Sequence, residues 1–398
     1  MASKELHLTL TTRDRNKPED EQSPMCGVPY HSVDSYIARL VQKGYKVAIC
    51  EQTEDPAQAK GIVQRDITRI VTPGTVTESC MLEESRNNYM GCVYGENERL
   101  GLAFCDVSTG AFYVTVCNDA PSAASELGRF APSEVIRFGK GAYCDLLNEA
   151  LSLRLRCCVD EGKAEQFQLD AAGATLEQHF GKSVADLGLG GLTEGIMAAG
   201  SLLNLLKALQ KNDLSHIREL QYYTSGKFME LDLDARRNLE LAETLRAKDK
   251  KGTLLWVLDK TRTPMGGRLL RSWLEKPLLD IAEIISRQNA VEELVNDTML
   301  RGELDNALRD ITDLERVMTR IVTGTVNCRD LLGLANGLRA LPAIKTCLKN
   351  VRAPLLRRLE EAIDSLADCA DLIENTIAEK LQLFFTEHLN HPKPCYYA

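Results

Sequence analysis

The chain has 398 residues, a hydrophobic content of 44% and a formal net charge of −9. This length predicts two or three domains, and neither a membrane-spanning run of about eighteen apolar residues nor a signal peptide is found in the sequence. The negative charge does not favour nucleic-acid binding on composition alone, because nucleic-acid-binding domains usually carry a basic surface. Thirteen cysteines without a C-x-x-C pair are typical of reduced thiols in a cytoplasmic protein.

The first eighty residues are predicted to form an α/β unit. Apolar residues recur at helical spacing over residues 33–41, with Ser32 as a suitable N-cap and Gly44 as a stop. Two buried strands are expected, at Tyr45–Cys50 and at Ile67–Val71.

A second α/β unit is expected after a polar linker at residues 80–87. Three successive strands with short turns come first, and two further strands alternate with helical segments. This order is typical of an RNase H-like sheet. The predicted strands are Tyr89–Tyr94, Leu100–Asp106, Ala111–Val116, Glu134–Phe138 and Leu153–Val159.

The pattern becomes mostly helical from about Thr193. One short strand is expected at Phe228–Leu233, and Trp256 and Trp273 are expected to pack in a core. The longer helices are predicted at Ile281–Val295, Asp313–Val322, Arg329–Leu338 and Pro354–Leu366.

Six separated motifs point to one protein family. The first eighty residues contain MCGVPYH at 25–31, ICEQ at 49–52 and RIVTPGT at 69–75. The helical part adds DARRNLEL at 234–241, GTLLWVLDKT at 252–261 and TPMGGRLLRSWL at 263–274. Over about residues 5–380 the chain resembles the MutS family of bacterial DNA mismatch repair proteins.

The resemblance implies a multidomain α/β plus α fold. Residues 1–80 would be a partial mismatch-recognition domain, 86–192 an RNase H-like connector domain, and 193–380 an incomplete, mostly helical core and lever domain. Residues 381–398 do not match the family and are expected to be a tail produced by out-of-frame translation or by a truncated gene model.

The resemblance also implies a DNA-contacting surface in the first domain. The loop before the predicted helix can offer backbone N–H groups to a phosphate, and its glycine permits close approach. Its aromatic side chains can contact the sugar-phosphate backbone, and an earlier loop presents two arginines. The expected DNA-binding residues are Arg13, Arg15, Gly27, Pro29, Tyr30 and His31.

Two elements of the family are not found in this sequence. The family reads mispairs with an aromatic wedge and a glutamate two residues later, and no F-x-E occurs before Leu10. The only G-K-S, at 181–183, does not fit a P-loop because residue 176 is Leu, and we interpret it as a helix C-terminal turn. The chain is therefore expected to lack the wedge, the clamp and the ATPase. In the complete family protein, ATP and magnesium would be bound by the ATPase. On this chain, no cofactor, metal site or catalysis is expected.

The partners implied by the resemblance are double-stranded DNA with mismatches, MutL and a second copy of the protein. The resemblance also implies a cytoplasmic location without a membrane contact. The surface of the connector is the expected contact for MutL.

Two other functions remain open from the residues themselves. Asp106 ends a predicted strand of an RNase H-like sheet and could hold metal ions together with Glu134 and Asp160, as in a nuclease. We favour a structural role, in which Asp106 organises the following turn through Ser108 and Thr109. The second alternative is a non-catalytic scaffold that binds a partner protein through the connector.

Overall fold

The chain divides into two compact units, residues 1–226 with 230–240 and residues 227–229 with 241 onward. Each unit has its own clusters of buried apolar side chains. A computed structural model describes residues 1–377 except 13–15, 17, 30–31, 55–62, 96–98, 140–142, 156, 213, 225 and 227.

The N-terminal segment, which we define as residues 1–80, contains a helix packed on a pair of antiparallel strands. Ile37 and Val41 are one helical turn apart and pack together with Val71 and Val76. The expected helix and two strands are present, but the expectation that both strands are buried is wrong. No residue of β3 is buried and only Val71 of β4 is, because the two strands form a sheet of their own with one face on α2. The elements are α1 (Ala2–Leu6), β1 (Thr11–Thr12), β2 (Pro24–Met25), α2 (Val33–Gln42), β3 (Val47–Gln52) and β4 (Arg65–Val71).

A six-stranded sheet follows, in the order β10–β7–β6–β5–β8–β9. The first three strands in sequence, β5 to β7, are antiparallel to one another, whereas β8 and β9 continue the sheet in parallel. The expected RNase H-like arrangement is therefore confirmed. The strands are β5 (Met90–Gly95), β6 (Leu100–Asp106), β7 (Ala111–Cys117), β8 (Glu134–Gly139), β9 (Cys158–Glu161) and β10 (Gln221–Tyr222).

Helices cover both faces of this sheet, and every residue of β6 is buried as a result. Leu102 and Phe104 pack on one side with Leu127, whereas Ala103 packs on the other side with Leu202. We call the sheet and its four helices the sheet domain. The helices are α3 (Ala120–Phe130), α4 (Tyr143–Asn148), α5 (Leu169–Phe180) and α6 (Thr193–Gln210).

Helix α6 begins where the sequence pattern suggested a new domain, yet it shares the core of the sheet. Leu202, Leu203 and Leu206 are fully buried in the same cluster as strand residues such as Met90. A Cβ atom at Gly200 would lie 2.5 Å from the Cα of Ala172 on α5, so the two helices are in close contact. The change to helical periodicity near Thr193 therefore does not mark the start of a separate hydrophobic core.

The prediction of a strand at Leu153–Val159 is wrong for the first half of this segment. Residues 149–155 form a π-helical segment that continues α4, and β9 begins only at Cys158. Leu147, Ala150 and Leu151 are buried at helical spacing against the sheet. Their burial outweighs the alternation of leucine with polar residues that favoured a strand.

A short helix, α7 (Leu233–Asn238), ends the first unit, and the second unit is almost entirely helical. Residues 367–377 are also helical. The named helices of the second unit are α8 (Leu254–Leu258), α9 (Pro264–Glu275), α10 (Ile281–Asn296), α11 (Thr298–Ala307), α12 (Leu314–Val322), α13 (Cys328–Leu348) and α14 (Pro354–Ala362).

Several boundaries in this half differ from expectation. The strand expected at Phe228–Leu233 is reduced to a single bridge between Phe228 and Leu278. Helix α13 runs ten residues beyond the expected end because buried Ile344 and Leu348 extend its apolar face. Helix α14 ends four residues early, where the Asp364 carboxylate accepts the N–H of Leu366 at 3.1 Å in a competing turn.

The two tryptophans are not core residues. Trp256 is 46% exposed and Trp273 is 38% exposed, with the Arg287 guanidinium 3.7 Å from the Trp273 ring centroid. The expectation that both pack in a core is therefore wrong. Within the described part of the chain, no helix has the length and apolarity needed to cross a membrane.

Candidate functional site

The loop that precedes α2 is open on its outer side. Gly27 and Pro29 are exposed, and a Cβ atom added at Gly27 would meet no other atom within 4 Å. The Pro29 carbonyl accepts the backbone N–H of Ser32 at 3.0 Å, which fixes the turn into the helix. A large polar ligand such as a DNA backbone could therefore approach this loop without displacing other residues.

The first turn of α2 is less favourable to a phosphate than its position suggests. Ser32 occupies the N-cap position, but its side chain does not accept a helix N–H, so the backbone donors of the first turn stay available. Asp34 lies in this same turn and is exposed. Its carboxylate opposes the attraction between the positive helix end and an anion.

Two short paired strands precede the two expected DNA-contacting segments in the chain. Strands β1 and β2 pair so that Thr11 lies opposite Met25 and Thr12 opposite Pro24. Because the pair is antiparallel, the chain leaves β1 after Thr12 and leaves β2 after Met25 at opposite ends of the pair, so this pairing does not bring the two segments together. Four of the residues expected to bind DNA, Arg13, Arg15, Tyr30 and His31, lie outside the described residues.

Asp106 is a buried turn organiser, as the structural interpretation predicted. One carboxylate oxygen accepts the N–H and the hydroxyl of Ser108 at 2.9 and 2.7 Å. The other accepts the Asn87 side-chain amide at 2.8 Å and the Asn88 backbone N–H at 3.1 Å. The two asparagines were not identified from the sequence.

The carboxylates considered as partners of Asp106 have another arrangement. Glu134 and Asp160 both contact the Lys46 ammonium group, which lies 3.4 Å from Glu134 Oε1. Among the residues that the structure describes, no group of three or more His, Cys, Asp or Glu side chains could hold a metal ion. The geometry therefore gives no support to a nuclease centred on Asp106.

Glu134 is a fully buried carboxylate with unusual electrostatics. Its second oxygen, Oε2, accepts the Thr72 hydroxyl and, at 3.0 Å, the Gly74 N–H. Burial raises the pKa of Glu134, although these two hydrogen bonds and the Lys46 charge act in the opposite direction. Burial would lower the pKa of Lys46, but its hydrogen bond to Asp160 and the charges of both carboxylates raise it.

The two remaining sequence features have structural roles. Gly181 is the C-cap of α5 with a left-handed φ of 63°, and its N–H donates to the Glu177 carbonyl at 2.9 Å. The G-K-S sequence is therefore a helix C-terminal turn, as expected. The described cysteines are free thiols, and burial raises the pKa of Cys117 to about 12, so this thiol is unreactive.

Three protein-family models match the chain in consecutive segments. MutS domain I matches residues 1–80, MutS domain II matches residues 88–218, and MutS domain III matches residues 234–389. The second match includes α6, in agreement with the shared core. The third extends past residue 380, where the sequence pattern placed the end of the resemblance.

Curated relatives described as DNA mismatch repair protein MutS align with nearly the whole chain. The protein from Ruminiclostridium cellulolyticum is 45% identical over 96% of this chain and 43% of its own length. Those from Lachnoclostridium phytofermentans and Acetivibrio thermocellus are 42% and 41% identical over 96% and 95% of this chain, and over 41% and 43% of their own lengths. The chain thus spans less than half the length of these relatives.

Proposed function

Because the chain belongs to the MutS family, we propose that it serves DNA mismatch repair by binding double-stranded DNA that contains mispairs. The observation that carries this proposal is the occurrence of MutS domains I, II and III in order along one chain. The matched domain I contains the exposed loop with Gly27 and Pro29, which supports its assignment as a DNA-contacting element.

We also propose the partners that the family implies, namely MutL and a second copy of the protein, and a cytoplasmic location. The outer surface of the sheet domain is the proposed MutL contact. For the domain limits, we propose residues 1–80 for the first domain and a second domain that starts at residue 86. The second domain would extend through α6, because this helix packs in the core of the sheet.

The test is a fluorescence anisotropy titration of the chain with duplex DNA at fixed salt. In the variant Gly27→Glu, the added carboxylate would face the phosphates, and we expect DNA affinity to fall about tenfold, or about 1.4 kcal/mol. Gly302→Glu is the matched control, because a Cβ there also meets nothing within 4 Å and Gly302 lies on α11, away from this loop in the chain. Equal affinities of the two variants would contradict the proposed contact.

The same titration compares a G·T duplex with a matched duplex. A tenfold preference for the G·T duplex would support recognition of the mispair by residues of this chain, and equal affinities would show that the chain binds duplex DNA without distinguishing the mispair.

A further inference from the structure

The loop of residues 72–75, which follows β4 within the N-terminal segment, is buried. The side chains of Thr72 and Thr75 are 0% and 1% exposed. Connecting loops normally run over the surface, because buried backbone groups need hydrogen-bond partners. The burial of this loop therefore requires partners from the surface against which it packs.

Three side chains of the sheet domain and its entry supply these partners. Glu134 accepts the Thr72 hydroxyl and the Gly74 N–H, the latter at 3.0 Å. The Asn88 side-chain amide donates to the Pro73 carbonyl at 2.9 Å. The Gln210 amide, at the end of α6, donates to the Thr75 carbonyl at 2.9 Å. Each residue of the loop is thus held by a side chain from residues 88–210.

Gly74 brings the loop into direct contact with the sheet. A Cβ atom at this position would lie 2.8 Å from Met90 Cβ and 3.0 Å from Glu134 Cβ. Both distances are too short for a side chain unless the loop or the sheet moves. Gly74 is therefore required by close approach to β5 and β8.

The groups that compensate the buried charge of Glu134 all come from the N-terminal segment. They are Thr72, Gly74 and, at 3.4 Å, the ammonium group of Lys46. A buried carboxylate is unfavourable unless it is paired and hydrogen-bonded. Its burial is therefore compatible with the fold only while the N-terminal segment stays in place.

Beside this loop, the two parts of the unit are separated by a cleft of about 360 Å³. Ala38 and Gln42 of α2 line one side, and Ala131 and Leu155 of the sheet domain line the other. Helix α2 does not fill this space.

We propose that Glu134 is a positioning residue that fixes the N-terminal segment on the sheet domain by holding the loop of residues 72–75. Domains joined by a linker move relative to one another unless their interface prevents it. The Glu134 contacts supply that restraint and set the orientation of the Gly27–Pro29 loop. This last consequence for DNA rests on the proposed function, whereas the restraint itself does not.

The test measures the distance between the two parts in the full chain without DNA, so it is independent of DNA binding. Spin labels are placed by a chemistry that does not use cysteine at exposed Glu51 on β3 and exposed Asp170 on α5. Double electron–electron resonance should give one narrow distance for the unaltered protein. In Glu134→Ala, the distance distribution should broaden, so that the single narrow peak is lost. Glu134→Gln, which keeps an oxygen for Gly74, should restore most of it.

Two further variants make the result specific. Thr72→Val removes one hydrogen bond to Glu134 with little change of shape, and should broaden the peak less than Glu134→Ala. Glu161→Ala is the matched control, because this exposed glutamate pairs with Arg137 inside the sheet domain, and it should leave the peak unchanged. A narrow peak in both Glu134→Ala and Thr72→Val would overturn the proposal. Thr72→Val alone decides the question if Glu134→Ala does not fold.

Discussion

The sheet domain and the helical second unit differ in how they treat large apolar side chains. In the sheet domain, Phe104 and Phe112 are 0% and 1% exposed. In the second unit, Ile281 and Met299 are 71% and 75% exposed, although both lie in helices. Apolar burial therefore accounts for more of the stability of the sheet domain than of the helical unit.

The helical unit relies instead on polar contacts at defined positions. Arg268 on α9 is 4% exposed and forms a bidentate pair with Asp313, with both distances 2.7 Å, and a 2.6 Å bond to Glu315. In six of the seven named helices of this unit, the side chain of the N-cap residue accepts a helix N–H, and α14, capped by Ala353, is the exception. These caps are Thr253, Thr263, Asp280, Asp297, Asp313 and Asn327.

The sharpest test of this difference is loss of a large core side chain. Phe104→Ala should lower the free energy of unfolding of the sheet domain by about 3–5 kcal/mol, because Phe104 is fully buried and its ring stacks on Phe130 at 4.1 Å. Ile281→Ala in the helical unit should cost no more than about 0.5 kcal/mol. Urea unfolding followed by circular dichroism measures both, and similar costs would contradict the comparison.

The second test removes the central ion pair of the helical unit. Arg268→Ala should cost about 3 kcal/mol, because the partly buried Asp313 carboxylate loses its bidentate partner and keeps only the more distant Arg316 guanidinium at 3.9 Å. The exposed pair between Arg262 and Asp305 is the control, and Arg262→Ala should give no resolvable change. Both tryptophans lie in this unit, so tryptophan fluorescence in urea follows its unfolding directly.

Local patterns predicted the sheet well and the polar contacts poorly. Strands β5 to β8 were readable because each carries its own apolar run, as β6 does with seven consecutive buried residues. Strands β9 and β10 are short and carry no such run, so the first was misplaced and the second was not predicted. The Lys46 contact with Asp160 joins residues 114 positions apart, and no local pattern carries that information. Trp256 was assigned to a core because periodicity shows an apolar face but does not show what covers it.

The candidate DNA site was predicted only through the resemblance. The exposed loop at Gly27 is consistent with that expectation. The role of the 72–75 loop was not predicted, although its sequence motif was recognised. Its hydrogen-bond partners Asn88, Glu134 and Gln210 come from three separate parts of the chain, which no local pattern connects.

The contributions of Glu134 and Asp313 to stability should depend on pH in opposite directions. Burial raises the pKa of Glu134 above its ordinary value of 4.5, so its contribution to folding is complete below pH 4.5 and is lost as pH rises through the raised pKa. Burial acts against the Asp313 charge, but the Arg268 hydrogen bonds and charge lower its pKa below 3.8. The Asp313 contribution is therefore present above pH 3.8 and is lost as pH falls through the lowered pKa.

Glu134→Gln and Asp313→Asn remove these two titrations. Relative to the unaltered protein, Glu134→Gln should gain free energy of unfolding as pH rises above 4.5, and Asp313→Asn should gain as pH falls below 3.8. Urea titrations at a series of pH values measure both differences. The exposed Glu161→Gln serves as control, and a difference for Glu134→Gln that falls with rising pH would contradict the assigned direction.

The smallest expected effect on stability comes from a comparison of two helix N-caps, of which only one forms a side-chain hydrogen bond to the helix. Thr263 at the start of α9 accepts the Gly266 N–H at 3.0 Å, whereas the Ser32 side chain at the start of α2 makes no such bond. Thr263→Ala should therefore lower the free energy of unfolding by about 1 kcal/mol, and Ser32→Ala should change it by no more than a few tenths, about 0.3 kcal/mol. Trp273 lies in α9 itself, so its fluorescence in urea reports the Thr263 variant, and circular dichroism reports the Ser32 variant. A cost for Ser32→Ala as large as that for Thr263→Ala would mean that Ser32 caps α2 in solution. Its first-turn N–H groups would then be less available to a DNA phosphate.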